Sequence, residues 1–357
     1  MAMGYALGNH DNLEGEINVV EEDQSDLILY SAYTNVYLTH MKSQPKSYLH
    51  VPAAQHMAVP YTTIKYAKDG RLKGAREGLY TSIARPDHRA EVRSALELWG
   101  FNNFVEYIYT VAELGFLEGL IPVLDVGILT PAELQKLQEV CALIVISHDS
   151  ISDYIDTISD SVMPFEKRQQ FRYKMLEWAG KLSLPTIGKI AVSEHKAMAE
   201  YTDYFKALKE RHSQYQNIHE LILDVVVAHP RLPQSLKPIS KKKLLRIFEQ
   251  AKNILPDDIN VVIPSIDNEY ILDLVDAGLR DLGRVDVDLI ASSDADNPIL
   301  EVAKALEKKG YTLQQRFPLK KDFIKNEAYS KKLGQVFDSY RYKIKKDIVD
   351  KQRETKS

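Results

Sequence analysis

Seven polar residues stand at the ends of short apolar runs, where side chains are held still enough to do chemistry. Asp125 follows LIPVL, His148 and Asp149 follow ALIVIS, Glu194 and His195 follow KIAV, His229 follows ILDVVVA, and Asp267 follows VVIPSI. Imidazoles and carboxylates gathered on one mouth could hold a divalent metal such as zinc, iron or manganese with an open coordination position, polarising water or a carbonyl. His148, His195 and His229 are the candidate metal ligands. The same set could instead line a polar pocket for an organic or anionic ligand, or fill unlinked capping roles, because no HxH or HExxH spacing ties the residues together. His56, in the stretch VPAAQHMAVPYTTIKY, is a further candidate.

Other reactive residue types carry less. Cys141 is the sole cysteine and adjoins ALIVIS, which makes it a small core residue rather than a nucleophile. No GxSxG elbow accompanies it. Lys189 lies within IGKIAV, where an outward, snorkelling side chain is the expectation over an inward, desolvated amine able to form a Schiff base. His50 reads as a core or strand-edge residue, and His212 and His219 flank the end of a long polar helix.

Strand-sized, β-branched runs must position the seven residues: YLHVP, EGLYTS, LIPVLDVG, ALIVIS, LPTIGKIAV, ELILDVVVA and INVVIP. Helix-period segments alternate with them over 87–99, 131–140, 165–182, 196–212 and 240–254. Such alternation predicts an α/β fold, a TIM-type (β/α) barrel with outer helices, in which chemistry collects on the loops after the strands. An open doubly wound sheet is the alternative, but no GxGxxG or Walker sequence follows the first strand. The expected layout is an acidic extension over 1–46, a barrel over 47–323 and a basic amphipathic helix over 324–357. In that last segment Leu333, Val336, Phe337, Tyr340, Ile344 and Ile348 draw an apolar stripe expected to dock on the barrel.

The chain has 357 residues, 45% hydrophobic and 27% charged, with net charge −4. It contains no apolar run of about eighteen residues and no signal-peptide pattern, so a cytoplasmic protein without membrane contact is expected. Its first forty-one residues lack Lys and Arg while the tail is basic, yet no basic run interleaved with aromatics points to nucleic acid.

Several stretches, in order and spacing, resemble the radical SAM subunit of FO synthase, which builds a deazaflavin chromophore. These are GLYTSIARPDHRAEVRSALELWGFNNFVEYI, GLIPVLDVGILTPAELQKL, QNIHELILDVVV, GLRDLGRVDVD and GYTLQQRFPLKKDFI. The resemblance implies a radical-SAM-like barrel and, after the first strand, a CxxxCxxC loop whose thiolates hold an iron–sulfur cluster. At the corresponding positions stand Met57, Tyr61 and Ile64, and the family's Gly-Glu pair falls on Ile83 and Ala84. Further departures are Asp125-Val126-Gly127 for an Asn-Pro-Gly turn, His148 for a Glu, Val192-Ser193-Glu194-His195 for a GIGE-like turn, and Ala228-His229 for a Gln-Asn pair.

With one cysteine for three ligands, the expectation is a chain with no cofactor and no iron–sulfur cluster, a divalent metal remaining open at the mouth. The function expected is that of a non-catalytic relative, a binding or scaffold partner in deazaflavin biosynthesis, alongside an active paralogue or cofactor-assembly protein and with room for a small-molecule ligand. The alternative is an enzyme whose barrel mouth has been given over to metal-assisted or acid–base chemistry.

Overall fold

The computed structural model describes residues 26–39, 57–149, 164–225, 239–264, 270–291, 298–325, 328–334 and 337. Its strands are β1 (Leu27–Tyr37), β2 (Glu77–Thr81), β3 (Ile121–Asp125), β4 (Leu143–Ser147), β5 (Thr186–Val192), β6 (Ile218–Val225), β7 (Asn260–Val262), β8 (Asp281–Asp286) and β9 (Thr312–Gln315). They pair in parallel in the order β7-β6-β5-β4-β3-β2-β1-β8, with β9 beside the first half of β1. The two ends of that order, β7 and β8, touch and bring the sheet round into the expected barrel. Helices α1 (Pro60–Leu72), α2 (Ala90–Leu98), α3 (Phe104–Leu117), α4 (Pro131–Leu137), α5 (Phe165–Lys181), α6 (Met198–Tyr215) and α7 (Lys241–Ile254) return the chain between strands. Helices α8 (Ile271–Asp276), α9 (Val287–Ile290), α10 (Pro298–Lys308) and α11 (Lys321–Lys325) complete the described α-helices.

Both faces of a parallel barrel strand are covered, so the strands read as continuous apolar runs and alternate between two cores. The outer core joins strands to helices, through side chains such as Tyr80, Tyr107, Ile146, Tyr204 and Phe205. Tyr80 fits only because residue 115 on α3 is glycine: a Cβ there would lie 1.6 Å from the Tyr80 hydroxyl. The inner core fills the lumen with Ile121, Val123, Leu143, Val145, Ile187, Ile222 and Val262, and is closed by Leu319, Ile324, Leu333 and Phe337. The apolar stripe of the tail therefore docks on the barrel through Leu333 and Phe337, while Val336, Tyr340, Ile344 and Ile348 lie outside the described residues.

One placement differs from the sequence reading. Strand β1 occupies 27–37, inside the segment assigned to the acidic extension, and lies between β2 and β8 in the sheet. The stretch LILYSAY within it is strand-like in sequence, and both faces of β1 are largely buried. YLHVP, expected as the first strand, lies outside the described residues.

Beneath the lumen a charged network crosses the amino-terminal half of the barrel. Arg284 Nε donates to Glu77 Oε2 at 2.7 Å and its Nη1 pairs with Glu220. Arg316, arriving after β9, reaches Glu220 at 3.0 Å and Asp281 at 2.7 Å. Burial alone would raise the Glu220 carboxyl, but Arg284, His219 and Arg316 hold it well below the ordinary carboxylate range. Ser31 donates to Glu77, and Asn260 donates to Asp281 at 3.0 Å, a side-chain bond between β7 and β8. His219, expected merely to flank a helix, is buried here: its Nε2 accepts from Lys320 N at 3.0 Å, tying the segment before α11 to β6.

Candidate ligand site in the barrel lumen

Above the apolar inner layer the same two-residue period delivers polar side chains to the lumen. On β3 Val123 is followed inward by Asp125, on β5 Ile187 by Lys189, and on β6 Ile222 by Asp224. Strand β1 adds Tyr33 and Asn35, and β8 adds Asp286, which is the register partner of Tyr33. Lys189 Nζ donates to Asp125 Oδ2 at 2.9 Å and lies 3.7 Å from Asp224 Oδ2. On the other wall Asn35 Nδ2 donates to Asp286 Oδ2 at 2.9 Å and reaches the Tyr33 hydroxyl at 3.3 Å. These groups sit at the carboxyl ends of the strands, where barrel chemistry collects.

The lumen is acidic and short of countercharge. Burial works against the Lys189 ammonium, yet Asp125 and Asp224 raise its pKa above the ordinary lysine value, so it is a firmly held cation. Burial raises the Asp224 carboxyl, Lys189 opposes that rise, and Asp125 and Asp149 add to it. Asp286 is raised chiefly by burial. Burial and then Asp286 push the Tyr33 hydroxyl up to about 12, so it remains a donor at neutral pH. Thr81, level with Asp125 in the sheet, has a buried hydroxyl with no hydrogen-bond partner among the described residues. Lys189, Asp125 and Asp224 each retain a fifth to a quarter of their side-chain exposure. This arrangement can hold a polar molecule between a cationic donor and carboxyl acceptors.

Of the residues singled out by sequence, Asp125 reaches this site. His148 does not: its ring packs 4.8 Å from Tyr204 and 5.7 Å from Tyr173, against the helices outside the sheet, and its Nε2 lies 3.2 Å from Gln169 Nε2. Asp149 is fully buried, pairs with Lys196 and accepts from Ala191 N at 2.9 Å, holding the turns after β4 and β5 together. Glu194 accepts from Ser240 N at 2.7 Å at the start of α7. That backbone bond keeps its carboxyl low despite some burial, and a helix N-terminus favours such an anion. His195 is exposed on the same turn. His56, His229 and Asp267 lie outside the described residues, and those described contain no group of three His, Cys, Asp or Glu side chains that could hold a metal.

Lys189 reverses the expectation that it faces outward. Reading the inward register from Ile187 would have placed it in the lumen, as a lysine in a fully covered strand has no water outside to reach. Asp224 was passed over as part of ELILDVVVA, although a carboxylate inside a buried parallel strand is itself a sign of a polar lumen. Tyr33, Asn35 and Asp286 carried no motif. Their meeting depends on β1 and β8 being neighbours, a pairing between segments some 250 residues apart.

No protein-family model matches the chain. It is 30% identical over 273 residues to the 7,8-didemethyl-8-hydroxy-5-deazariboflavin synthase of Methanococcus aeolicus, covering 74% of this chain and 76% of that one. The synthase of Methanocaldococcus jannaschii is also 30% identical, over 276 residues, with 74% and 75% covered. That of Methanopyrus kandleri is 25% identical over 292 residues, with 78% and 86% covered. Among solved structures, the FeFe-hydrogenase maturase HydG from Carboxydothermus hydrogenoformans shares the fold, with a TM-score of 0.57 at 12% identity over 81% of this chain and 68% of that one.

These relatives correct one expectation: kinship with synthases of a radical SAM family points to an iron–sulfur cluster, and overturns the reading that the protein has no cofactor. The side chains of this chain do not fit the cluster's ligand set. Met57 is buried in a bridge to Thr39, Tyr61 is 77% exposed on α1, and Ile64 lies one turn along the same helix. Cys141 is buried behind the sheet, donates to Leu143 O, and has its thiol pushed up to about 12 by burial. Placed beside synthases that match three-quarters of its length at up to 30% identity, the chain belongs to the 7,8-didemethyl-8-hydroxy-5-deazariboflavin synthase family.

Proposed function

We propose that this chain serves deazaflavin biosynthesis by binding a deazaflavin or its precursor in the barrel lumen, as a binding partner of an active paralogue or cofactor-assembly protein. One observation carries the reading: Lys189, Asp125 and Asp224 on one wall and Tyr33, Asn35 and Asp286 on the other present partly exposed polar groups at the carboxyl ends of five strands. A heteroaromatic ring with carbonyl and ring N–H groups supplies both the acceptors that Lys189 and Tyr33 need and the donors that the carboxyl groups need. The functional name of the relatives supports this ligand class. Membership of the family makes the role one in cofactor biosynthesis, and the lumen is where a ligand of that pathway would sit.

The test is a titration of the purified protein with 7,8-didemethyl-8-hydroxy-5-deazariboflavin, followed by the chromophore's own fluorescence. Saturable binding by the parent, weakened at least tenfold in D125N and in D224N, supports the assignment. A folded parent that leaves the chromophore unchanged overturns it. The competing reading, metal-assisted chemistry at His148, His195 and His229, has no support from His148, whose ring is packed outside the barrel.

A further inference from the structure

Lys189 supplies, from within the chain, the cation that faces both Asp125 and Asp224. Its ammonium is 2.9 Å from Asp125 and 3.7 Å from Asp224, on strands either side of the lumen wall that carries it. Without it the two carboxylates would face each other with no described cation in contact, since the guanidinium of Arg284 is engaged lower down with Glu77 and Glu220. Across the lumen Asp286 is already bonded by Asn35. The Tyr33 hydroxyl adds a donor but no charge.

We propose that Lys189 is the specificity-determining residue of the lumen, a tethered counter-cation that neutralises Asp125 and Asp224 so that the site takes neutral ligands presenting a carbonyl-type acceptor, and rejects ammonium compounds. The proposal rests on the lumen being the ligand site and deepens that reading by naming what sets its charge preference. A free amine entering the parent protein must displace a cation held by its own backbone, which loses little entropy in staying where it is. A neutral carbonyl leaves the ion pairs intact and adds a charge-assisted hydrogen bond to a remaining ammonium proton. Specificity of this kind comes from the repulsive element as much as from the attractive one.

The experiment removes the tether and offers its mobile equivalent. Substitution K189A deletes the side chain beyond Cβ, which n-propylammonium reproduces. Melting curves of parent and variant are recorded with n-propylammonium chloride, with n-propanol and with sodium chloride at matched concentrations. The expected result is a saturable rise in the melting temperature of K189A with the ammonium salt alone, and none in the parent. A folded K189A that does not respond, or a parent that responds equally, overturns the proposal. Should K189A fail to fold, K189M and D125N/K189M are compared: the double variant is expected to melt above K189M because it removes the stranded carboxylate, and the reverse order overturns the proposal. The deazaflavin titration of the parent reports separately on the natural ligand. Amine rescue without deazaflavin binding keeps Lys189 as the resident cation and removes only the ligand assignment.

Discussion

Lys189 and Asp125 are held 2.9 Å apart by strands that are not neighbours: β4 lies between β3 and β5, and the two side chains meet across the curve of the lumen wall. Removing either partner strands the other. K189M is expected to lower unfolding stability by about 2–3 kcal/mol, less than the roughly 3–5 kcal/mol typical of a fully buried pair, because both groups keep some water. Urea denaturation followed by tryptophan fluorescence reads this directly. An unchanged midpoint would mean that the pair contributes nothing net.

The tail should behave as part of the barrel. Deleting the chain from Phe323 onward removes Ile324, Leu333 and Phe337 from the inner core. At roughly 1.5–3 kcal/mol for each fully buried side chain, before chain entropy is subtracted, the loss should amount to several kcal/mol. A truncated protein that melts with the parent would place the stripe's importance elsewhere.

Arg316, directly after β9, joins the segment leading to that tail to β6 and β8 through Glu220 and Asp281. R316M should be more destabilising than R316M combined with E220Q, because the single substitution leaves a buried carboxylate short of charge. A double-mutant cycle in urea measures the coupling, with an expected interaction of about 1–3 kcal/mol. Strict additivity would refute the network's coupling.

His219 sets a pH dependence. Burial lowers its pKa from the ordinary 6.5 to about 4, against the opposing pull of Glu220. A depressed imidazole is neutral in the folded chain while the unfolded chain binds a proton, so its contribution is present above pH 6.5 and is lost as pH falls towards 4. Unfolding stability should therefore drop by up to about 1.4 kcal/mol per pH unit from this group within that window. Gln keeps an acceptor for Lys320 N without titrating. H219Q should show a slope shallower by close to one proton, and equal slopes for variant and parent would remove His219 from the account.

Gly127 tests how the mouth is positioned. It has a φ of +76°, and a Cβ on it would lie 2.7 Å from the backbone of Ala84, so the turns after β2 and β3 approach through glycine. G127A should cost about 1–3 kcal/mol and weaken ligand binding at the adjacent Asp125. Thermal melting and the deazaflavin titration, run together, check both effects.

The alternation of β-branched runs with helix-period segments determined a parallel α/β sheet, because each of its strands must bury both faces and each crossover must be long enough for a helix, while the approach of β7 to β8 decided for the barrel over an open sheet. Kinship was equally legible, carried by stretches such as GLIPVLDVGILTPAELQKL whose order and spacing persist. Among the described residues, the candidate site was legible in the sequence at Asp125. His148, one residue past the inward-facing Ser147, turns out of the lumen, and Lys189, two residues beyond the lumen-lining Ile187, turns in. A shift of one residue exchanges the faces of a strand, so sequence proximity to a strand's end says little about direction until the register with its neighbours is known. Which carboxylate meets which cation was decided later still, by the strand order, which pairs β1 with β8 and sets Asp125, Lys189 and Asp224 on β3, β5 and β6 around one space from segments about a hundred residues apart.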